Sequence, residues 1–427
     1  MKPLILTTYY PPEATAASVR MSQIIKRFSH KEDIEHIRVI AFNPLYKCEL
    51  EKGVNGQEKV DVIRYTRRIL PTFAFMPQSL NPLTLIFWIY ISLKEIAKYQ
   101  PDVILTTTPP FAPAIASGIA SRVLNKPCVV DYRDDLTSVI DSIAETERFY
   151  VKYPLKVANK FMSALLFHFL KRASLLSTVN EVLQEKLLDL NRNVITVPNG
   201  IDIEELNEVK ENFDRKKVLD KNGISYSEGS MTIVYVGDLN MPYYMPEIIL
   251  EPLKELLKTG YNVKYIIIGD GKRREPIEEM VKEMDLEGIV HLVGRKGHRE
   301  VLELLLACDV AFYSLQKGDP QSKHAIGAKV YEYIGCELPI LAVADEGSAI
   351  SKLIKMHNIG VFVSWEEVDK LEAALRELLD SKKYVQNIQL RYSYFVEKFD
   401  RNRGIDLLYE KIKMLSVGQS PTALQAR

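Results

Sequence analysis

The sequence predicts an α/β protein built from two Rossmann-like domains, each with a parallel sheet, and three observations carry that expectation. The chain has 427 residues and a mass of 48.8 kDa, more than one hydrophobic core normally organises. Short apolar runs of strand length alternate with segments of helical periodicity, and the series occurs twice, which is the mark of βαβ units. Between the two series lies a polar segment, 204–228, rich in Glu, Lys, Asn and Asp, which reads as an interdomain linker.

Taken in order, residues 4–8 read as a buried first strand, since the apolar segment is too short for a secretory leader and no cleavage site follows it. Further strands are expected at 37–42, 60–65, 103–106, 128–132, 175–179 and 194–197, with helices at 17–28, 83–99, 112–124, 152–172 and 180–190. The most apolar run, 83–93, is bounded by Pro82 and Lys94 and falls short of the ~20 residues a membrane span needs, so it reads as a buried helix. The second series places strands at 232–236, 263–268, 289–293, 310–313, 339–343 and 360–363. The expected division is a first domain over 1–203, a second over 229–388, a helical segment over 389–415 and a frayed tail over 416–427. Two such domains would place a ligand cleft between the carboxyl ends of their sheets.

Bulk composition excludes more than it identifies. With 56 basic and 56 acidic residues the net charge is zero and the pI about 7.1, which argues against a dedicated nucleic-acid binder. Cys48, Cys128, Cys308 and Cys336 lack any C-x-x-C spacing, so neither a zinc site nor a disulfide framework is indicated and a reducing cytoplasm fits.

The chemistry concentrates in a few motifs. His324-Ala325-Ile326-Gly327-Ala328-Lys329-Val330-Tyr331-Glu332-Tyr333 reads as a small, glycine-containing loop leading into a helix. Backbone N–H groups of such a loop can approach a diphosphate at the helix start, and a carboxylate further along can accept hydrogen bonds from both hydroxyls of a ribose. Gly237 closes the strand Tyr235-Val236, Gly269 and Gly271 close Ile266-Ile267-Ile268, and Gly294 precedes Arg295 and Lys296. Each glycine reads as a turn or as a point of close ligand approach. In the first half, Val130-Asp131-Tyr132-Arg133-Asp134-Asp135 follows a buried strand and bundles three carboxylates with one arginine, while Pro198-Asn199-Gly200-Ile201-Asp202 is a turn leaving the last strand.

These motifs together resemble glycosyltransferase family 4, the group 1 retaining glycosyltransferases of GT-B architecture, and the resemblance runs from Tyr10 to about Met414. It implies transfer of a hexose-type sugar from a nucleotide diphosphate donor, UDP- or GDP-linked, to a hydroxyl acceptor, with retention of configuration and in glycan or polysaccharide assembly. It also implies that 389–415 crosses back onto the first domain. On the donor side it implies Glu332 at the ribose, Lys329 and the loop amides at the phosphates, and Gly237, Gly269, Arg295 and Gly327 lining the donor, with Lys272 as a further cation. The sequence departs from the family at three places: His324 stands where the family has Glu, Asp238 follows Gly237 where the family has Arg, and Ala14, Ala16, Ala17 and Ser18 precede Arg20 where the family often has a glycine-rich loop. His324 then reads as the replacement contact to the donor sugar or as an exposed loop histidine. Arg133 and Asp134 are expected at the reacting end, Asp131 and Arg20 on the acceptor or phosphate side. The alternative for Arg20 is a surface ion pair, and for Arg133 and Asp134 a structural pair. Three acids adjacent in one loop, with no histidine nearby, make a poor cage for a hard cation, so no metal or other cofactor is expected.

Two other readings share the fold: a nucleotide-sugar epimerase, and a non-catalytic nucleotide-sugar-binding subunit of a glycan-assembly complex. Finally, Lys152, Lys156 and Lys160 recur at i+4 beside an apolar face, which fits either peripheral contact with an anionic membrane, at the inner face of the cell membrane, or a helix with solvated lysines.

Overall fold

Two wholly parallel sheets organise the chain, one of seven strands and one of six. The computed structural model describes residues 1–13, 15–43, 58–66, 80–146, 148–319, 322–323 and 326–419. It divides into a first unit, Met1–Pro198 with Asn402–Arg427, and a second unit, Asn199–Arg401.

The first unit contains β1 (Pro3–Leu6), α1 (Ala16–Ser29), β2 (Ile37–Phe42), β3 (Val60–Tyr65), α2 (Pro82–Tyr99), β4 (Val103–Thr108), α3 (Phe111–Val123), β5 (Cys128–Tyr132), α4 (Leu136–Thr146), α5 (Phe149–Leu170), β6 (Leu175–Thr178), α6 (Glu181–Leu188) and β7 (Val194–Thr196). The second contains α7 (Ile203–Glu211), α8 (Arg215–Lys221), β8 (Met231–Val236), α9 (Leu250–Lys258), β9 (Val263–Ile268), α10 (Arg274–Glu283), β10 (Val290–Gly294), α11 (His298–Leu306), β11 (Val310–Ser314), α12 (Ala328–Gly335), β12 (Ile340–Ala344), α13 (Ala349–His357), β13 (Gly360–Ser364), α14 (Leu371–Asp380), α15 (Lys383–Leu390) and α16 (Tyr392–Phe399). The last helix, α17 (Arg401–Ser416), lies almost wholly in the first unit.

The strand orders are β3-β2-β1-β4-β5-β6-β7 and β10-β9-β8-β11-β12-β13. Both reverse direction of growth beside their first strand, at β1/β4 and at β8/β11, and an open α/β sheet binds ligands outside the carboxyl ends of its strands at that switch point. Every expected strand forms: most are the continuous apolar runs of strands covered by helices on both faces, while the edge strand β3 is half-buried and carries Asp61 and Arg64. β1, β4 and β9 are buried along their whole length. In the first unit Trp88 and Ile91 of α2, Ile115 of α3 and Leu166 of α5 cover one face of the sheet, while Met21, Ile24 and Phe28 of α1 share the other with Ile405, Leu408 and Ile412 of α17. The apolar run 83–93 lies within α2, where Leu85, Trp88 and Ile91 are buried.

The segment expected to be a linker is folded. α7 and α8 occupy most of 204–228, and Leu206, Val209, Val218, Leu219 and Ile224 enter the core of the second unit. Asp202 and Asp214 cap these helices by accepting hydrogen bonds from the Glu205 and Lys217 amides, both at 3.1 Å. Likewise 389–415 is broken between α15, α16 and α17 rather than continuous.

Candidate active site

From the second unit's switch point outward along the carboxyl edge of the sheet, three glycine turns, after β8, β9 and β10, lie side by side. The Gly237 amide donates to the Ile268 carbonyl and the Gly269 amide to the Gly294 carbonyl, both at 3.0 Å, so the turns after β8, β9 and β10 form one hydrogen-bonded row. Gly269 has φ +156°, and a Cβ there would lie 1.9 Å from the Gly237 carbonyl oxygen, so the approach of the two turns requires glycine. The segment after Gly237 is strapped to the next turn: Leu239 donates to the Asp270 carbonyl at 3.1 Å and Lys272 donates to the Asn240 side chain at 3.1 Å. Gly327 precedes α12 and its amide points to the Tyr313 hydroxyl at 3.4 Å, while the Tyr333 hydroxyl accepts from the Val236 amide at 3.0 Å. These contacts seat α12 beneath the turn after β8.

Glu332 projects from α12 and is only 5% exposed. The Lys329 ammonium lies 2.9 Å from each of its oxygens, and His298 Nε2 lies 3.3 Å from Oε1. The other imidazole nitrogen, Nδ1, is 2.9 Å from Glu205 Oε2. Burial alone would raise the Glu332 carboxyl, but Lys329 and His298 outweigh it and hold the group down to about 2. His298, bound first to Glu205 and then to Glu332, is pushed up to about 9, so at neutral pH it is an imidazolium donating from both nitrogens. Lys329, expected at the phosphates, thus serves as counter-ion to Glu332. Arg295 and Lys272 are exposed beside Gly294 and Gly271, and neither side chain makes an ion pair among the described residues. His324 lies outside the described residues.

In the first unit, the acidic loop after β5 resolves into three different environments. Asp131 is fully buried and takes a bidentate pair from Arg20, Nε at 2.9 Å and Nη2 at 2.8 Å, with the Ser177 hydroxyl at 2.8 Å. Arg20, read from the sequence as held for an anionic ligand or in a surface pair, is therefore in a buried ion pair that locks α1 to the sheet. Although burial opposes it, Arg20 and Ser177 hold Asp131 below the usual carboxylate range. Asp135 accepts from the Ser138 hydroxyl at 2.6 Å and from Lys186 at 2.5 Å, and fixes the start of α4. Arg133 turns back to β4, donating from Nε to the Thr107 hydroxyl and from Nη2 to the Pro109 carbonyl, both at 2.8 Å. Asp134 alone accepts no hydrogen bond among the described residues; burial raises its pKa against the opposing charge of Arg133. Sequence reasoning grouped these acids, whereas the structure puts them in three different environments, with Asp134 half-buried.

Family models decide what such a chain is. The model described as Glycosyltransferase Family 4 matches residues 36–205, and that described as Glycosyl transferases group 1 matches 219–391, so between them they take in most of the chain. It is a family 4, group 1 glycosyltransferase. The first match contains the Asp131–Asp135 loop and the second every glycine turn and Glu332. No curated protein matches it by sequence.

Solved structures show the same GT-B fold for this glycosyltransferase. Anabaena Alr3699/HepE in complex with UDP-glucose is 16% identical at a TM-score of 0.65, covering 97% of this chain and 99% of that one. A glycosyltransferase from Rickettsia africae is 15% identical at 0.67, covering 98% and 100%, and WaaG, a glycosyltransferase involved in lipopolysaccharide biosynthesis, is 15% identical at 0.62, covering 96% and 99%.

One residue in contact with Glu332, His298, was missed in the sequence because it belongs to none of the motifs. Its partners Glu205 and Glu332 stand 93 and 34 positions away. The only local signal was the cap preceding α7, Asp202 three residues before Glu205.

The lysines of α5 also read differently in three dimensions. Lys152 and Lys156 are both paired with Glu145 of α4. The outward face of α5 is instead aromatic and apolar: Phe149, Tyr150, Tyr153, Val157 and Phe161 are all more than half exposed. Among the described residues no helix is long and apolar enough to cross a membrane.

Proposed function

We propose that this glycosyltransferase moves a hexose from a nucleoside diphosphate donor to a hydroxyl acceptor with retention of configuration, in glycan assembly and without a metal ion. The observation that carries the reading is Glu332: a buried carboxylate kept charged, beside a row of glycine turns where backbone amides can meet a diphosphate. Its oxygens can accept from both ribose hydroxyls while Lys329 keeps it charged, and Arg295 and Lys272, without an ion pair among the described residues, can meet the phosphates.

In the reaction the bond from the anomeric carbon to the diphosphate oxygen breaks, and the acceptor oxygen bonds to that carbon on the same face. The acceptor proton passes to the departing diphosphate oxygen. The protein contributes orientation and charge stabilisation. Asp134 receives the hydrogen bond of a sugar hydroxyl, and Arg133, tied to Thr107 and Pro109, keeps the loop that carries it in place. Metal independence is supported by the same loop: with Asp131 taken by Arg20 and Asp135 by Lys186, one carboxylate remains, too few for a hard-cation cage.

HepE holds UDP-glucose, which makes UDP-glucose the first donor to test, followed by GDP-sugars. Purified protein with donor and a saccharide or lipid-linked acceptor should form product whose anomeric proton coupling matches the donor, with EDTA without effect. Product of inverted configuration overturns retention, and loss of activity in EDTA restored by Mn²⁺ overturns metal independence. Conversion of donor alone into an epimeric sugar nucleotide overturns transfer.

We also infer peripheral contact with an anionic membrane through α5. Its exposed aromatic row suits a bilayer interface, and Lys160 and Lys171 lie exposed on the same helix and at its end. The protein should float with anionic liposomes, and Phe149→Ser/Phe161→Ser should abolish flotation; equal flotation of both proteins, or of neither, overturns the contact.

A further inference from the structure

We propose that His298 is a positioning residue for the donor: together with Glu205 it sets the orientation in which Glu332 receives the ribose hydroxyls. The inference rests on the assignment of Glu332 to the ribose made above.

Three elements remote in sequence converge to make this arrangement. Lys329 lies 2.9 Å from both Glu332 oxygens and so centres the carboxylate without choosing between them. His298 engages Oε1 alone, which sets the tilt of the group and so the directions in which its remaining lone pairs face the hydroxyls. His298 is held in turn. Glu300 Oε2 accepts from the Gly297 amide at 3.2 Å and fixes the first turn of α11. Glu205 is fixed by the Asp202 cap, and Asp202 itself receives Arg401 at 3.0 Å.

A role in stabilising α11 does not account for His298. An imidazolium at the first residue of a helix meets the positive end of the helix dipole, where a cation is unfavourable. The carboxylates of Glu205 and Glu332 are what hold it there. Other charges around it are few: Lys329 opposes its protonation, Asp202 and Arg401 act on Glu205, and Arg299 on the same helix turns to Glu208 and Glu303. A neutral imidazole carries one N–H and can donate to only one of its two acids, so loss of the proton releases Glu332 or Glu205.

The experiment measures binding of UDP and of GDP by calorimetry, and donor KM and kcat, from pH 6.5 to 9.5. His298→Ala should weaken nucleotide binding and raise donor KM roughly tenfold with kcat little changed, the size of one charge-assisted hydrogen bond acting through its partner. His298→Gln, which keeps a donor but cannot titrate, should recover most of the affinity and remove the rise of donor KM near pH 9. Glu205→Gln, remote from the nucleotide, should move that rise to lower pH, because the imidazolium loses its nearest counter-ion. A histidine that merely packs would give none of these pH effects.

Glu332→Gln separates the two claims. If it weakens nucleotide binding while His298→Ala, His298→Gln and Glu205→Gln all follow the wild-type pH profile, the positioning role is overturned and the ribose assignment stands. If Glu332→Gln leaves binding of both nucleotides unchanged, or neither binds the wild type, the ribose assignment falls and this inference with it.

Discussion

Asp131 and Glu332 are both buried carboxylates near the switch point of a parallel sheet, and each is held charged by a neighbouring cation, yet they are built for different tasks. Asp131 is fully buried, gripped by both arms of one guanidinium and by Ser177, on strands whose residues 131 and 177 stand in register. Each of its oxygens is matched to one arm of a rigid planar fork. Glu332 is held by the end of a flexible lysine chain and by one imidazole nitrogen, on a helix beside glycine turns, and keeps capacity for a guest. Burial and a shifted pKa are common to both, so neither separates a structural acid from a binding acid. The geometry of the counter-ion does.

Substitution of Asp131 tests the structural side and should have the largest effect. Asp131→Ala leaves Arg20 buried without its partner, and a loss of about 3–5 kcal/mol in urea unfolding is expected. A loss within experimental error would mean that Arg20 finds other partners and the pair is no lock.

Glu332→Ala tests the binding side. It should cost about 2–4 kcal/mol in donor interaction, seen in KM and in nucleotide binding, with a smaller effect on folding. A variant that unfolds as readily as Asp131→Ala would erase the distinction between the two acids.

Gly269→Ala comes next, because its Cβ would meet the Gly237 carbonyl oxygen at 1.9 Å. About 1–3 kcal/mol of destabilisation is expected, with weaker nucleotide binding as the row of turns spreads. Full retention of both properties would show that the row is not what admits the diphosphate.

The pH dependence of stability should be the smallest effect and sharpens the comparison on the Glu332 side. Glu332, ordinarily near 4.5, is held down to about 2, so its contribution is full above its ordinary value and is lost as pH falls toward 2. His298, ordinarily near 6.5, is raised to about 9, so its contribution is full below 6.5 and is lost as pH rises toward 9. Thermal melts of His298→Gln should lack the alkaline decline and keep the acid one. Identical alkaline declines in both proteins would assign the effect to another group.

The fold was legible because its strands are continuous apolar runs set between helices of regular periodicity, a pattern local to a few residues at a time. Glycine turns were legible for the same reason: Gly237, Gly269 and Gly327 end or begin elements that the periodicity already marked. What the sequence hid was pairing over distance. Arg20 and Asp131 are 111 positions apart, and no local pattern says that they meet, so Arg20 read as a ligand-holding residue. The helices α7 and α8 were hidden by their charge, although Leu206 and Val209 already had helical spacing behind the cap residue Asp202. At α5 the regular lysines drew attention from the aromatic face, and only the position of Glu145 shows that two of them are engaged.

The division of the chain carries a consequence for how the protein is made. Ile405, Leu408 and Ile412 of α17 complete one face of the first unit's core, packing with Met21, Ile24 and Phe28. Everything the second unit needs, from Asn199 to Arg401, leaves the ribosome before they do. Its two ends already meet: the Ile201 amide donates to the Phe399 carbonyl and the Arg401 amide to the Ile201 carbonyl, both at 2.9 Å. The unit translated second is therefore the one that can finish folding first, while the N-terminal unit must wait, with an apolar face uncovered, for the last helix of the chain.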